Sequence, residues 1–403
     1  MLIIFFVGVL ILISGTFFSE FKKIFITEPF LSIVIAILLG PEILGVIELD
    51  ITSSLPVLKK TSEFTIAMAL MATALRIPKS FFRRNFQTQT FLVIGGMLLM
   101  WLSGSFLLYL VFNLSIAECL LLGAIITPTD PVVASTIVTG KLAEKYLPSS
   151  IRNSLSFEAG VNDGLAFPLV FAGIFLVQAD SFPIGKWIVE VLLFKTILCA
   201  VIAYITGYGA GLLMHKANIK GYMNKKSFLP FSLALSFVLL EGLNLLNMNG
   251  IIAVFIGGLA FSRVISENED VQEERVQEAM ERIFTIPAYF LLGLVLPWQE
   301  YVALGWKAIG IVVLVILFRR IPGFFALGPF MPKFKKRKKD LLFMGWFGPI
   351  GVAAIYYALH TKEQLAMESA WVIPSLIVVA STIIHGISSV PFQKWYHSLK
   401  NDH

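Results

Sequence analysis

Hydrophobic residues in this chain come in long runs, not in the one-sided or alternating patterns of a water-soluble fold. Charged residues and Gly- or Pro-containing breaks separate the runs. In the first half they predict membrane spans at roughly 2–18, 29–47, 60–76, 88–112, 115–139 and 149–178. In the second half the predicted spans are 186–214, 228–246, 249–264, 280–297, 303–327, 340–360 and 369–391. Met1 to Leu12 is apolar without a basic start or a small-residue cleavage site, so it is expected to be a retained first helix. Thirteen helices of about 20 residues each leave only about ten residues per connection.

Composition agrees with the pattern. The chain is 57% hydrophobic and 14% charged, where soluble domains run at about 45–50% and about 25%. It reads as an all-α polytopic membrane protein, and a receptor with a cytosolic enzyme attached is excluded. Cys119 and Cys199 sit in apolar runs, which argues against a disulfide framework or a thiolate metal site. The net charge of +6 would fit a nucleic-acid partner, but its placement points to a membrane. Most of the 32 Lys and Arg residues lie in the odd-numbered connections and the C-terminal tail. Basic residues favour the cytoplasm, so the N-terminus is expected outside and the tail inside. The basic run Lys333 to Lys339 then marks the inner face, beside anionic lipid. The acidic run Glu267 to Glu281 reads as a solvated cytoplasmic connection.

An odd number of spans lets two six-helix units lie in opposite orientations around one linker helix, as an inverted repeat requires. The expected organisation is a first repeat over 1–178, a linker helix over 179–227, a second repeat over 228–391 and a short tail over 392–403. The fifth span carries Thr127-Pro128-Thr129-Asp130-Pro131 and the twelfth carries Gly348-Pro349-Ile350-Gly351. Helix breakers at matched positions of two repeats are the best pointer in a sequence to a midplane ion or substrate site.

Ionisable residues inside spans are costly, and each is a functional candidate. In the sixth span Glu158 and Asn162 stack on one helical face, with Asp163 turned about 100° from Asn162. The nearest cations are Arg319 and Arg320 in the eleventh span. A guanidinium keeps its proton, so it needs a permanent anionic partner. Pairing one arginine with Glu158 leaves Asp163 to titrate, and Asp130 beside the ends of the broken fifth helix. The alternative is that both arginines reach toward the basic face.

Four stretches carry a resemblance. They are Thr127 to Gly140, Glu158-x-x-x-Asn162-Asp163-Gly-x-Ala-Phe-Pro168, Arg320-Ile-Pro322, and Trp346-Phe-Gly-Pro-Ile-Gly-Val-Ala-Ala354. In this order the chain resembles the sodium/proton antiporters, in the electroneutral monovalent cation:proton antiporter branch. Its motifs are most like those of the fungal plasma-membrane alkali-cation type and of prokaryotic relatives. The resemblance implies thirteen helices in inverted repeats with discontinuous crossing helices, a homodimer in the cell membrane, and no cofactor beyond the transported Na+, Li+ or K+ and H+. It implies that Asp163 binds the ion and the proton, that Asn162 supports it, and that Asp130 and Thr129 help form the Na+ site. It also implies a structural ion pair between Glu158 and Arg320. Some archaeal relatives carry a serine just after the glutamate; Ala159 supplies no hydroxyl here.

Other polar residues read more simply. Glu241 is expected to pack against the polar break at Asn244 to Asn249, Lys195 to form a peripheral pair with Glu190, and His385 to be neutral and hydrogen-bonded. An ion channel, a cation-efflux protein of different stoichiometry and an intramembrane aspartyl protease using Asp130 and Asp163 are the competing classes. No filter-like loop of repeated carbonyls supports the channel.

Overall fold

Several helix starts in this protein coincide with side chains that replace the missing intrahelical acceptors. The computed structural model describes residues 1–23, 27–179, 182–222, 228–265 and 283–401. The acidic run expected between Glu267 and Glu281 lies outside these residues. Among them the regular structure is helical throughout.

The first half contains α1 (Leu2–Lys23), α2 (Glu28–Leu39), α3 (Ile51–Arg76), α4 (Phe86–Val111), α5 (Ile116–Ile125), α6 (Pro131–Val138), α7 (Gly140–Tyr146) and α8 (Ser149–Gln178). The second half contains α9 (Ile184–Ile219), α10 (Phe228–Leu245), α11 (Gly250–Ser262), α12 (Ile283–Leu294), α13 (Trp298–Leu304), α14 (Trp306–Phe330), α15 (Lys338–Trp346), α16 (Val352–Leu365) and α17 (Ser369–Asn401). Five of these helices are long and apolar enough to cross a membrane, or six if α12 and α13, bent by 63°, count as one span.

Local chemistry explains the boundaries. Asp50 caps α3 by accepting the Thr52 and Ser53 amides, each at 3.2 Å. The third helix therefore starts at Ile51, ahead of the predicted residue 60, and takes in Lys59 and Lys60. Their charges are met by Glu363, Glu63 and Glu241. Glu241 thus pairs with Lys60 at 2.6 Å, not with the break at Asn244 to Asn249 as expected from sequence. Ser115 and Glu118 form a reciprocal capping box that opens α5. Between α10 and α11 the chain turns through Asn247 at φ 57°. Asn249 caps α11 there and ties it to α8, accepting the Ile252 amide at 3.2 Å and donating to the Gly164 carbonyl at 2.8 Å.

Burial sorts the long helices. The apolar window of α8 is 67% buried, that of α9 only 22%. Helix α8 is therefore central and α9 peripheral. On α4, Ile94, Leu98, Leu102 and Phe106 form an exposed stripe at four-residue spacing, a face that needs lipid and not water. Close packing joins α9 to α11, where a Cβ on Gly207 would strike the Gly257 backbone. Lys195 makes no pair with Glu190 of the kind expected; its ammonium lies over the Phe171 ring, 5.2 Å from the centroid.

Candidate ion-binding site

Two broken helices meet at the centre. Helix α5 ends at Ile125 and α6 begins at Pro131; α15 ends at Trp346 and α16 begins at Val352. The breaks are joined directly, the Asp130 amide donating to the Pro349 carbonyl at 2.7 Å. Two helix N-termini, which carry partial positive charge, and two C-termini, which carry partial negative charge, are thus brought together in a buried place.

One side chain answers each pair of ends. Asp130, 1% exposed, accepts the Val132 amide at 2.8 Å and also interacts with the Val133 and Val352 amides. It therefore caps α6 and α16 together, and the Tyr289 hydroxyl donates to its second oxygen. The fit leaves no room for a side chain at Gly351, where a Cβ would overlap the Asp130 carboxylate. On the opposite side Arg319, 3% exposed, donates to the carbonyls of Ile126, of Thr127 at 3.2 Å and of Gly348 at 2.5 Å. It caps the two C-terminal ends, so it neither reaches for the membrane surface nor pairs with Glu158.

Arg320 makes that pair. Its guanidinium meets Glu158 through both terminal nitrogens, Nη2 to Oε2 at 2.6 Å. Nε donates to the Met344 carbonyl at 2.9 Å, and the group lies over the Phe324 ring at 4.2 Å. The planar fork of arginine suits such a two-point contact. A local break in α14 at the non-helical Arg320 (φ −120°, ψ −44°), with Pro322 in the next turn, sends adjacent arginines to different partners.

Asn162 clasps Thr129, accepting its amide at 3.1 Å and donating to its hydroxyl at 2.7 Å. This holds the first break against α8. The second break is held by α17: the Ile350 amide donates to Ser381 at 2.8 Å, and the His385 ring nitrogens lie 2.8 Å from the Ser381 carbonyl and 3.0 Å from that of Trp346. His385 is thus hydrogen-bonded, and its partners tie it to the crossing.

Asp163 differs from all of these. It has no solvent exposure, and neither carboxylate oxygen has a hydrogen-bond partner among the described residues. Its backbone carbonyl is fixed by the Tyr357 hydroxyl at 2.7 Å. The other buried carboxylates, Glu63, Asp130, Glu158 and Asp340, all have partners. A buried carboxylate with open lone pairs, next in sequence to the Asn162 that holds Thr129, offers hard oxygen ligands to a small cation or a place for a proton.

The sequence singled out Asp130, Thr129, Asn162, Asp163, Glu158 and Arg320, and the structure gathers them around one crossing. Tyr289, Tyr357 and the capping role of Arg319 escaped it. The tyrosines sit in apolar runs where an aromatic reads as core. Arg319 could have been found from the count of helix ends, since two broken helices leave two sets of carbonyls to satisfy.

Residues 8–395 match the family described as sodium/hydrogen exchanger, transmembrane. The chain is 27% identical over 400 residues to Na(+)/H(+) antiporter 2 of Zygosaccharomyces rouxii, covering 91% of this chain and 49% of that protein. It is 27% identical over 401 residues to the Na(+)/H(+) antiporter of Saccharomyces cerevisiae, covering 91% and 40%. The chain thus spans about half the length or less of these relatives. Its fold is similar to that of the sodium proton antiporter MjNhaP1 from Methanocaldococcus jannaschii at pH 8, with a TM-score of 0.74 and 19% identity over 99% of this chain and 98% of that one.

Proposed function

The chain belongs to the sodium/hydrogen exchanger family of transmembrane proteins, and from that premise we propose that it exchanges Na+, or Li+ or K+, for H+ across the cell membrane. One observation carries the mechanism: Asp163 is a fully buried carboxylate with no protein partner among the described residues. Left bare, such a group costs several kcal/mol. It holds either a proton or a small cation, and the two compete for it. Thr129 and Asp130 add oxygens to the cation's shell, and water takes the place that Ala159 leaves without a hydroxyl.

Charge count makes the exchange electroneutral. Glu158 is neutralised by Arg320, Asn162 does not titrate, and Asp130 stays ionised against two helix N-termini and Tyr289. Binding one H+ or one Na+ at Asp163 then gives the same net charge, so one cation crosses for each proton. Asp163 is occluded in this structure, and alternating access requires the helices carrying it to move until it meets each side in turn. The crossed breaks support an inverted repeat of six helices on either side of a linker helix, thirteen spans in all. The basic connections support an outside N-terminus and a cytoplasmic tail. The working unit is a homodimer in lipid, and its role is the control of internal pH and sodium.

The test is proton movement in proteoliposomes, read with a pH-sensitive dye as Na+, Li+ and K+ are added in turn. Cation addition should drive proton counterflow at a rate independent of membrane potential, clamped with valinomycin and K+ once K+ is shown not to be a substrate. Raising the proton concentration should raise the apparent KM for Na+ with little loss of maximal rate. No proton flux would overturn exchange. A several-fold change with potential would overturn the one-carboxylate cycle and turn attention to Asp130.

A further inference from the structure

Helix α8 carries Pro168 in its interior, beyond Asp163. Proline has no amide proton, and its ring crowds the carbonyl four positions back along a helix. In α8 that carbonyl belongs to Gly164, the residue after Asp163. Its ordinary donor would be the amide of residue 168, which is absent. Another part of the chain fills the gap: the Asn249 side-chain amide donates to the Gly164 carbonyl at 2.8 Å.

Asn249 is 2% exposed and is fixed on every side. Its Oδ1 accepts the Ile252 amide at 3.2 Å and so caps α11. Its backbone amide donates to the Lys195 carbonyl at 3.0 Å, and its own carbonyl accepts the Cys199 thiol at 3.2 Å, both from α9. These contacts leave Nδ2 for α8. Gly164 permits the close approach, since a Cβ there would overlap Ile252. The preceding carbonyl, that of Asp163, accepts the Tyr357 hydroxyl at 2.7 Å. Two successive carbonyls are thus held from outside the helix, at the turn where α8 lacks a bond of its own.

We propose that Asn249 is a positioning residue for ion binding. It stands in for the donor that Pro168 removes and, with Tyr357, fixes the turn from which Asp163 projects. This role rests on the reading of Asp163 as the exchanging carboxylate. The two ligands differ in how far they depend on it. A small cation needs several oxygens in place at once, whereas a proton needs one. Loosening the turn therefore weakens cation binding more than proton binding.

The test is a double-substitution cycle in the full chain. Asn249→Ser keeps a capping hydroxyl but is too short to reach Gly164, and Pro168→Ala restores the missing amide. In the presence of Pro168, Asn249→Ser should raise the KM for Na+ by about fivefold, while the apparent proton affinity stays within about twofold. Its melting temperature should fall by several degrees. Made on Pro168→Ala, the same substitution should change neither KM nor melting temperature appreciably, because the Gly164 carbonyl then has a donor within its own helix. Equal effects of Asn249→Ser in the two backgrounds, or an equal loss of Na+ and proton affinity, would overturn the positioning role while exchange itself stands. No flux in the wild type would overturn the exchange reading and this role with it. Should Asn249→Ser fail to fold, recovery of a folded protein in Asn249→Ser/Pro168→Ala supports the contact, and failure of both overturns it.

Discussion

The helix crossing and the rim of α3 both hold clusters of charge, but water reaches only one of them. At the rim, Lys60 joins Glu63 at 2.8 Å and Glu241 at 2.6 Å, Asn244 donates to Glu63 at 2.8 Å, and Lys59 meets Glu363. The Lys60, Glu241 and Glu363 side chains are 48%, 39% and 61% exposed. At the crossing, Arg320 and Glu158 are 3% and 1% exposed. A solvated pair can lose one partner and let water replace it. A buried pair cannot, since the charge left behind has nowhere to be solvated. The rim therefore adjusts how α3, α10 and α16 sit together, whereas the crossing either keeps its full set of partners or fails. Within the crossing, Asp163 is the exception that is left open.

The largest effect should come from closing that exception. Asp163→Asn keeps the shape but removes the titratable group, and cation-driven proton flux should vanish while the melting temperature stays within a few degrees of wild type. Substantial flux in the folded variant would break the contrast between Asp163 and its partnered neighbours. Next in size, Glu158→Ala or Arg320→Ala leaves one buried charge uncompensated, at a cost of about 3–5 kcal/mol. Each single variant should melt well below wild type, and the double variant should recover part of the loss because no lone charge remains. If the double melts as low as the sum of the singles, the two do not act as a pair. The smallest effect belongs to the rim. Lys59→Ala should cost less than about 1 kcal/mol, and the difference from wild type should shrink as salt is raised. A loss like that of Arg320→Ala would show the rim to be as closed to water as the crossing.

Sequence reading went furthest where the signal was local. The apolar runs announced the long helices, and the Pro- and Gly-containing stretches at 127–131 and 348–351 announced breaks that the structure contains. It went wrong where a charge was satisfied from a distant part of the chain. Lys59 and Lys60 look like a connection because two ammonium groups in a row oppose burial, yet Glu363 and Glu241, far along the chain, allow the helix to include them. Lys195 was assigned to Glu190 on its own helix and instead covers Phe171 of α8. The residues alone left Arg319 and Arg320 as equal partners for Glu158, because spacing along a helix says nothing about where an irregular turn will aim its neighbours.

Composition and hydrophobic pattern by themselves determined that this chain is a bundle of apolar helices, with breaks and core carboxylates at named positions. Those properties depend on segments of a few to about 20 residues and on the cost of burying each residue type in lipid. Only the tertiary structure decided which buried charge goes to which partner. Arg319 with the Ile126 and Thr127 carbonyls, Arg320 with Glu158 and Tyr289 with Asp130 are contacts between residues 159 to 193 positions apart. A side-chain charge is quenched by whatever lies within a few ångströms, and in a membrane fold those neighbours come from helices that the chain reaches many turns later. The open carboxylate of Asp163 is the remainder of that matching: the sequence named it as the group left to titrate, and the structure leaves both its oxygens without a partner among the described residues.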